Sequence, residues 1–308
     1  MDPDRPLRVV GQLTMAEILI FGVVSGAIYA LYALGITLVY KTSSAINFAQ
    51  AEIGTFALYP ATFVVTEHHL PWVLGALTAL VVSVAISLAF EEVVIRRMIS
   101  APRVAVAVAT VGLLSGLVGL EALWFGPSPR QLAPPLTTGS FSLAGVVILP
   151  SYWLSLIVVL VVTVVLTLFF RYTSFGLAVR AFADDPVAAR LMGISQARVS
   201  RFTWATAGLL AGLAALLIEP SIGEIAPGVF GSLLLFGLTA AVIGGLSSLP
   251  GAVAGGLIVG IAQAFFTAHP LTTKLAGVQS IAMLVIILLV LLARQLWPRI
   301  AVGLRTSG

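Results

Sequence analysis

Charge is what this sequence has least of. Only 9% of its 308 residues are charged, 59% are hydrophobic, and the mean hydropathy is +1.11. A soluble domain carries about a quarter charged residues, so most of this surface must face lipid. Cysteine is absent, which excludes disulfides, thiolate nucleophiles, thiolate zinc sites and iron–sulfur ligation together. Lysine occurs only as Lys41, after Tyr40, and Lys274, after Thr273. A P-loop needs Gly-Lys-Ser/Thr at the end of a glycine-rich turn, so this chain is not an ATPase by that route. The histidines are His68, His69 and His269, all near the ends of apolar segments. An adjacent pair lacks the i, i+4 spacing of a helical metal site, and all three are expected at the interface. Neither a Ser-His-Asp set, an HExxH motif nor a glycine-flanked nucleophile is present on a plausible scaffold. The expectation is a non-enzyme with no metal or cofactor of its own.

What is there is apolar sequence in span-length blocks. A transmembrane helix needs about 20 apolar residues, and uncharged runs of that order occur at Ile18–Val39, Trp72–Phe90, Val104–Leu120, Tyr152–Phe170, Phe202–Ile218 and Leu275–Ala293. Ile225–Thr273 has no Asp, Glu, Lys or Arg over 49 residues and is interrupted at Gly244-Gly245 and Pro250-Gly251, which predicts two segments. Ile46–Thr66 is apolar apart from Asn47, Gln50 and Glu52, and predicts a further span or a partly inserted, broken one. The fold expected is an all-α integral membrane protein, a polytopic bundle of about 8–9 transmembrane helices with broken or re-entrant segments. The run from Ile18 is 22 residues long, too long for an ordinary signal h-region, so it is expected to remain as the first span.

The 14 Arg and 2 Lys stand against 12 acids, in short stretches between the runs. Arg171, Arg180, Arg190, Arg198 and Arg201 share one loop, Arg96, Arg97 and Arg103 another, and Arg294, Arg299 and Arg305 the C-terminus. By the positive-inside rule these three regions are expected in the cytoplasm of a cell inner or plasma membrane protein. The Pro-rich Gly126–Pro135 and the strand-like Phe141–Ile148 then fall outside. One membrane domain, 1–308, is expected, with a tail at about 1–14, a cytoplasmic loop at 171–201 and a cytoplasmic tail at 297–308. Nine spans place the N-terminus outside despite Arg5 and Arg8. Glycines four apart, Gly22/Gly26, Gly112/Gly116, Gly208/Gly212, Gly251/Gly255 and Gly256/Gly260, predict closely approaching backbones.

Three stretches carry polar chemistry. In 171–201, Asp184-Asp185-Pro186 precedes Val187–Met192 and Gly193. Asp at an N-cap accepts from free amides, Pro suits the first helical position, and Gly suits a left-handed C-cap. A capped helix of about two turns is predicted, with Ala188, Leu191 and Met192 on an apolar side. It is either a partner-docking element or a surface helix lying at the lipid headgroups. Asn47 and Gln50 share a helix face at i, i+3, and Glu52 beside them is a candidate for the solute pathway, because a carboxylate at membrane depth is costly unless paired or wet. The alternative is an interfacial Glu52 paired with Lys41 or a backbone amide. Glu17 and Glu121, at segment ends, are read as interfacial, and Gln263 as an interhelical hydrogen bond. Gly244, Gly245, Pro250 and Gly251 mark a helix break lining a cavity or a plain turn.

Asn47-Phe48-Ala49-Gln50-Ala51-Glu52, Gly176–Asp184 leading to Leu191-Met192-Gly193-Ile194, and Gly244–Ala252 stand in the order and spacing of one family. Over about Gly22–Leu296 the chain resembles the LivH-type permeases of branched-chain amino-acid ABC transporters. That family commonly has His-Gly at the place of Gln50-Ala51. The resemblance implies a heteromeric importer: a second, related permease, two ATPases binding ATP and Mg, and an extracytoplasmic solute-binding protein. It implies that Gly176–Gly193 carries the coupling helix, with Arg180, Asp184, Asp185, Pro186, Ala188, Leu191 and Gly193. Related systems carry urea, short amides or other amino acids. A secondary transporter with a carboxylate ion site and a purely structural membrane protein are the competing classes.

Overall fold

Backbone that crosses lipid must satisfy its own hydrogen bonds, and a helix does so within one segment. The computed structural model describes residues 14–98, 101–132, 141–143, 146–148, 150–246 and 248–268, with Ile281 and Val285 beyond them. Helix α1 spans Met15–Ser43, α2 Gln50–Thr62, α3 Trp72–Val93, α4 Arg103–Trp124, α5 Pro150–Tyr172, α6 Ser174–Asp184, α7 Pro186–Leu191, α8 Gln196–Ile222, α9 Gly231–Gly244 and α10 Leu249–Ala268. Between α4 and α5, strands β1 (Phe141–Leu143) and β2 (Val146–Ile148) pair antiparallel, with Ser142 opposite Val147. Six helices among the described residues are long and apolar enough to cross a membrane: α1, α3 with its extension to Met98, α4, α5, α8 and α10. The expected span at 275–293, both chain tails, His269 and Ser247 lie outside the described residues, save Thr14, Ile281 and Val285.

Two of the expected segments are short because the chain breaks before them. The 13-residue α2 starts after the irregular stretch 44–49, where Ser44 takes φ 53°, and runs on as a five-residue π-turn at Phe63–Glu67. The 14-residue α9 follows an irregular stretch at 223–230, turned by Gly223 and Gly228 at φ 75° and 76°. The single uncharged run 225–273 thus resolves into α9 and α10.

The helices pack as two inverted halves. Thr42 near the end of α1 hydrogen-bonds Thr203 near the start of α8 at 3.1 Å, so these two central helices run in opposite directions. Helix α1 lies along α10 as α8 lies along α3; α2 rests on α3 and α8, as α9 rests on α10 and α1. One half therefore reads α1, break, α2, α3, and the other α8, break, α9, α10. Such inverted repeats are common among transporters. Small residues set both long seams. A Cβ on Gly26 would lie 2.8 Å from the Gly256 carbonyl oxygen, and one on Gly208 2.7 Å from that of Ser83. The pair Gly112/Gly116 differs from this expectation: a Cβ there would meet nothing within 4 Å, on the open side of α4.

The bundle has two unlike ends. Arg130, which pairs with Glu67 at 3.6 Å and bridges to Ile225, marks one. The other carries the remaining described arginines, at the close of α3 and of α5, the start of α4, and along α6, α7 and the base of α8. There Arg201 grips Glu92 at 3.0 Å, and Arg96 also bonds Glu92.

Candidate functional site

At the arginine-rich end, α6 and α7 are fixed by their inner faces. Thr173 caps α6 by accepting from Gly176 N at 2.9 Å, and Gly176 sits where a Cβ would come 2.6 Å from Phe170 backbone. Phe175 meets Phe202 edge-on at 4.7 Å between ring centres, and Phe169 stacks on Phe202 at 5.2 Å. Such aromatic pairs add to the area they bury. Val179 and Phe182 point inward and are buried. The predicted caps of α7 are both present. The Asp185 carboxylate accepts from Val187 N at 2.8 Å and Ala188 N at 3.0 Å. Beyond Leu191, Ile194 N reaches Ala189 O at 3.0 Å and Gly193 N reaches Arg190 O at 3.0 Å, with Gly193 at φ 83°. These are the two bonds of a Schellman motif.

The outer face of α7 is left bare. Leu191 and Met192 are each 84% exposed and Val187 59%, with Pro186 and Ala188 also exposed. Ala189 is the buried anchor. The sequence singled out Ala188, Leu191 and Met192 but neither Val187 nor Ala189. Arg180 donates to Arg171 O at 3.4 Å, and it lies with Asp184 within charge range of Lys41 at the end of α1.

Asn47 and Gln50 lie deep in the bundle and are bonded. Asn47 Nδ2 donates to Gln50 Oε1 at 3.1 Å, and Gln50 Nε2 donates to Ala207 O of α8 at 2.8 Å. The Gln50 amide occupies the space left open by Gly35 of α1. The break before α2 is satisfied by side chains: Thr110 accepts from Phe48 N at 3.1 Å, and Asn47 Oδ1 from Ala49 N at 3.0 Å. Irregular backbone is tolerated at membrane depth on this condition. These two amides therefore staple α1, α2 and α8.

Glu52 is different. One oxygen accepts from Gly228 N at 3.3 Å, in the break before α9. Its neighbours are Glu121, Tyr32 and Tyr59, all fully buried. The sequence placed Glu121 at the interface; it is instead inside, because α2 packs along the outer part of α4, with Tyr59 stacked on Phe125 at 4.5 Å. The Tyr32 and Tyr59 hydroxyls have no hydrogen-bond partner among the described residues, and the Glu52 and Glu121 carboxylates face each other within reach of a shared proton. Such a cluster is completed by protons shared among its members or by polar guests. Glu219 is satisfied, accepting from Leu132 N at 3.0 Å. Gln263 makes the expected interhelical bond, with Tyr29 at 3.4 Å.

Gly244, Gly245, Pro250 and Gly251 form a separate place, the α9–α10 turn towards the arginine-rich end. A Cβ on either Gly244 or Gly251 would collide with the other's backbone, and Gly245 takes φ 101°. The seven pathway candidates thus divide into a staple (Asn47, Gln50), the polar core (Glu52) and a tight helical hairpin. No cluster of three or more His, Cys, Asp or Glu able to hold a metal occurs among the described residues.

Six apolar helices of spanning length, packed as an inverted repeat around a buried polar core, define a polytopic membrane protein. The family described as the branched-chain amino acid transport system permease component matches residues 18–292, and the chain belongs to that family. It is 32% identical over 286 residues to the high-affinity branched-chain amino acid transport system permease protein LivH of Escherichia coli K12, covering 88% of this chain and 91% of that one. It is 34% identical to BraD, the corresponding permease protein of Pseudomonas aeruginosa, over 80% of this chain and 84% of that one. A probable LivH of Methanocaldococcus jannaschii is 29% identical over 77% and 76% of the two chains. No solved structure matches the chain.

Proposed function

We propose that this chain is the channel-forming permease subunit of an ATP-binding-cassette importer for branched-chain or other amino acids. It works with a second, related permease, two ATPase subunits that bind ATP and Mg, and an extracytoplasmic solute-binding protein. The observation that carries this reading is the α6–α7 pair, fastened to the bundle by Phe182 and Ala189 while presenting Val187, Leu191 and Met192 outward at the basic end. A short helix is marginal alone in water, and its two caps and buried anchor make it stiff enough to transmit a push. Basic loops favour the cytoplasmic side, which supports a cytoplasmic position for this surface and, through Arg294, Arg299 and Arg305, for the C-terminus. Arg180, Asp184, Asp185, Pro186 and Gly193 shape and hold the pair, and Ala188 and Leu191 meet the partner. Glu52 is the pathway residue, with Asn47 and Gln50 bracing its helix. Gly244, Gly245, Pro250 and Gly251 form the close-packed α9–α10 turn at the other end of α9 from Glu52. The whole chain, 1–308, acts as one non-catalytic permease domain.

The test is reconstitution of the chain with its ATPases, partner permease and binding protein in proteoliposomes. Leucine, isoleucine and valine are expected to stimulate ATP hydrolysis and to accumulate only with ATP. Uptake of urea or short amides in their place would move the substrate assignment. The buried Glu52–Glu121 cluster also suits a secondary transporter; ion-gradient-driven uptake by this chain alone, without ATP, would establish that reading and overturn the first.

A further inference from the structure

Beneath α7 lies a cavity of about 270 Å³ that the proposed function leaves unused. It opens at the basic end, between the close of α1 and α3 and the start of α4 and α8, with Pro186 and Arg190 of α7 in its wall. At roughly 30 Å³ per water, it holds a small organic fragment. Its wall is mixed: Ile95, Met98, Val106 and Phe182 are apolar, Ser43, Ser44 and Ser200 supply hydroxyls, and Arg96, Arg103 and Arg190 supply cations. Glu91, also in the wall, is fully buried, and neither carboxylate oxygen has a hydrogen-bond partner among the described residues. The adjacent Glu92 takes both Arg96 and Arg201, leaving Glu91 without either. Arg190 spends its Nε on its own helix, at Pro186 O, 3.1 Å away. Arg103 has no internal partner among the described residues and is exposed.

A buried carboxylate with nothing to accept from is costly, and it calls for N–H donors bearing positive charge. A metal ion is disfavoured by a wall that offers one carboxylate and also carries Arg96, Arg103 and Arg190. A simple anion is disfavoured by the carboxylate itself. The combination suits a ligand with both signs a few bonds apart. We propose that this cavity binds a zwitterion made of a primary ammonium and a nearby anionic group, with the ammonium on Glu91 and the anion on Arg103 and Arg190. Two sources share that chemistry: a free α-amino acid and the headgroup of phosphatidylethanolamine. The amino-acid source rests on the importer reading above; the lipid source does not. Either guest wedges between α7 and the bundle and so bears on the surface proposed to meet the ATPase. A free amino acid there would report the product's own concentration.

The test uses the assembled transporter without ATP or binding protein. In phosphatidylcholine nanodiscs, equilibrium binding of radiolabelled leucine is measured. In mixed nanodiscs, native mass spectrometry compares retention of phosphatidylethanolamine with phosphatidylcholine, whose quaternary ammonium has no N–H to donate. One of the two is expected to bind, and Glu91→Gln is expected to weaken it at least tenfold. Arg103→Ala, on the exposed rim, gives the same loss if Glu91→Gln does not assemble. Absence of both guests, or binding equal to wild type in the variants that assemble, overturns the proposal. ATP-driven uptake measured in the same preparations separates failure of this site from failure of the importer reading.

Discussion

Leucine 191 offers the most direct handle on coupling. Its side chain is 84% exposed at the tip of α7, held out by a helix whose own anchor, Ala189, is buried. Docking into a groove on a partner ATPase would remove nearly all of that side chain from water. Full burial of a leucine is worth about 1.5–3 kcal/mol, so Leu191→Ala should cost about 2 kcal/mol of docking energy, or roughly 30-fold in affinity. Met192→Ala should cost a similar amount, and the double variant need not be the sum. Ala188→Glu goes further, because it puts an unpaired carboxylate into the docked groove. None of these exposed positions contributes to the bundle, so insertion, yield and thermal stability should stay at wild-type values. The assay is titration of ATPase subunits onto the permease pair in nanodiscs, with uptake and hydrolysis measured together. The internal control is Ala189→Glu, which attacks the anchor and should lower stability instead. If Ala188→Glu and Leu191→Glu both keep wild-type affinity and uptake, α7 is not the coupling element.

Glu52→Leu should reduce transport in a protein that still inserts, while Glu52→Gln, which can still accept from Gly228, should retain more; equal uptake in wild type and Glu52→Leu would remove Glu52 from the pathway. Gly26→Leu should wedge α1 from α10, because even a Cβ would lie 2.8 Å from Gly256 O; overpacking costs roughly 1–3 kcal/mol, to be read as a lower yield of assembled complex and a lower melting temperature. The purified chain alone should show no saturable ATP binding in a filter assay, and such binding would break the division of labour with separate ATPases.

Much of the architecture was legible because it is written in local signals. Blocks of apolar residues marked the spans, Asp185-Pro186 and Gly193 marked both ends of α7, and Gly244-Gly245 with Pro250-Gly251 divided one long run into α9 and α10. What escaped notice depends on which helix meets which. A glutamate a few residues from a helix end is wet or dry according to its neighbour, and nothing near Glu121 announces that α2 covers it. Glu91 and Glu92 are adjacent on one helix, yet one faces two arginines and the other a cavity. Asn47 and Gln50 had the right spacing to act together, but their true partner, the space over Gly35, is remote in sequence. Gly112 and Gly116 carried the same signature as Gly22 and Gly26 and turned out to face outward, since spacing alone does not supply a second helix.

The two long seams of the inverted bundle are built from different materials, and this makes the halves mechanically unequal. Between α1 and α10 glycine meets glycine, with Gly22, Gly26, Gly256 and Gly260 offering smooth backbone to backbone. Between α3 and α8 the glycines of α8 meet serines, and Ser87 Oγ bonds Trp204 O at 2.6 Å while Arg201 holds Glu92 at the rim. Sliding along the first seam exchanges mostly van der Waals contacts and stretches one long hydrogen bond, Tyr29 to Gln263 at 3.4 Å; sliding along the second must break a shorter hydrogen bond and an ion pair. A push delivered near α8 would carry α3 with it more readily than a push on α1 would carry α10.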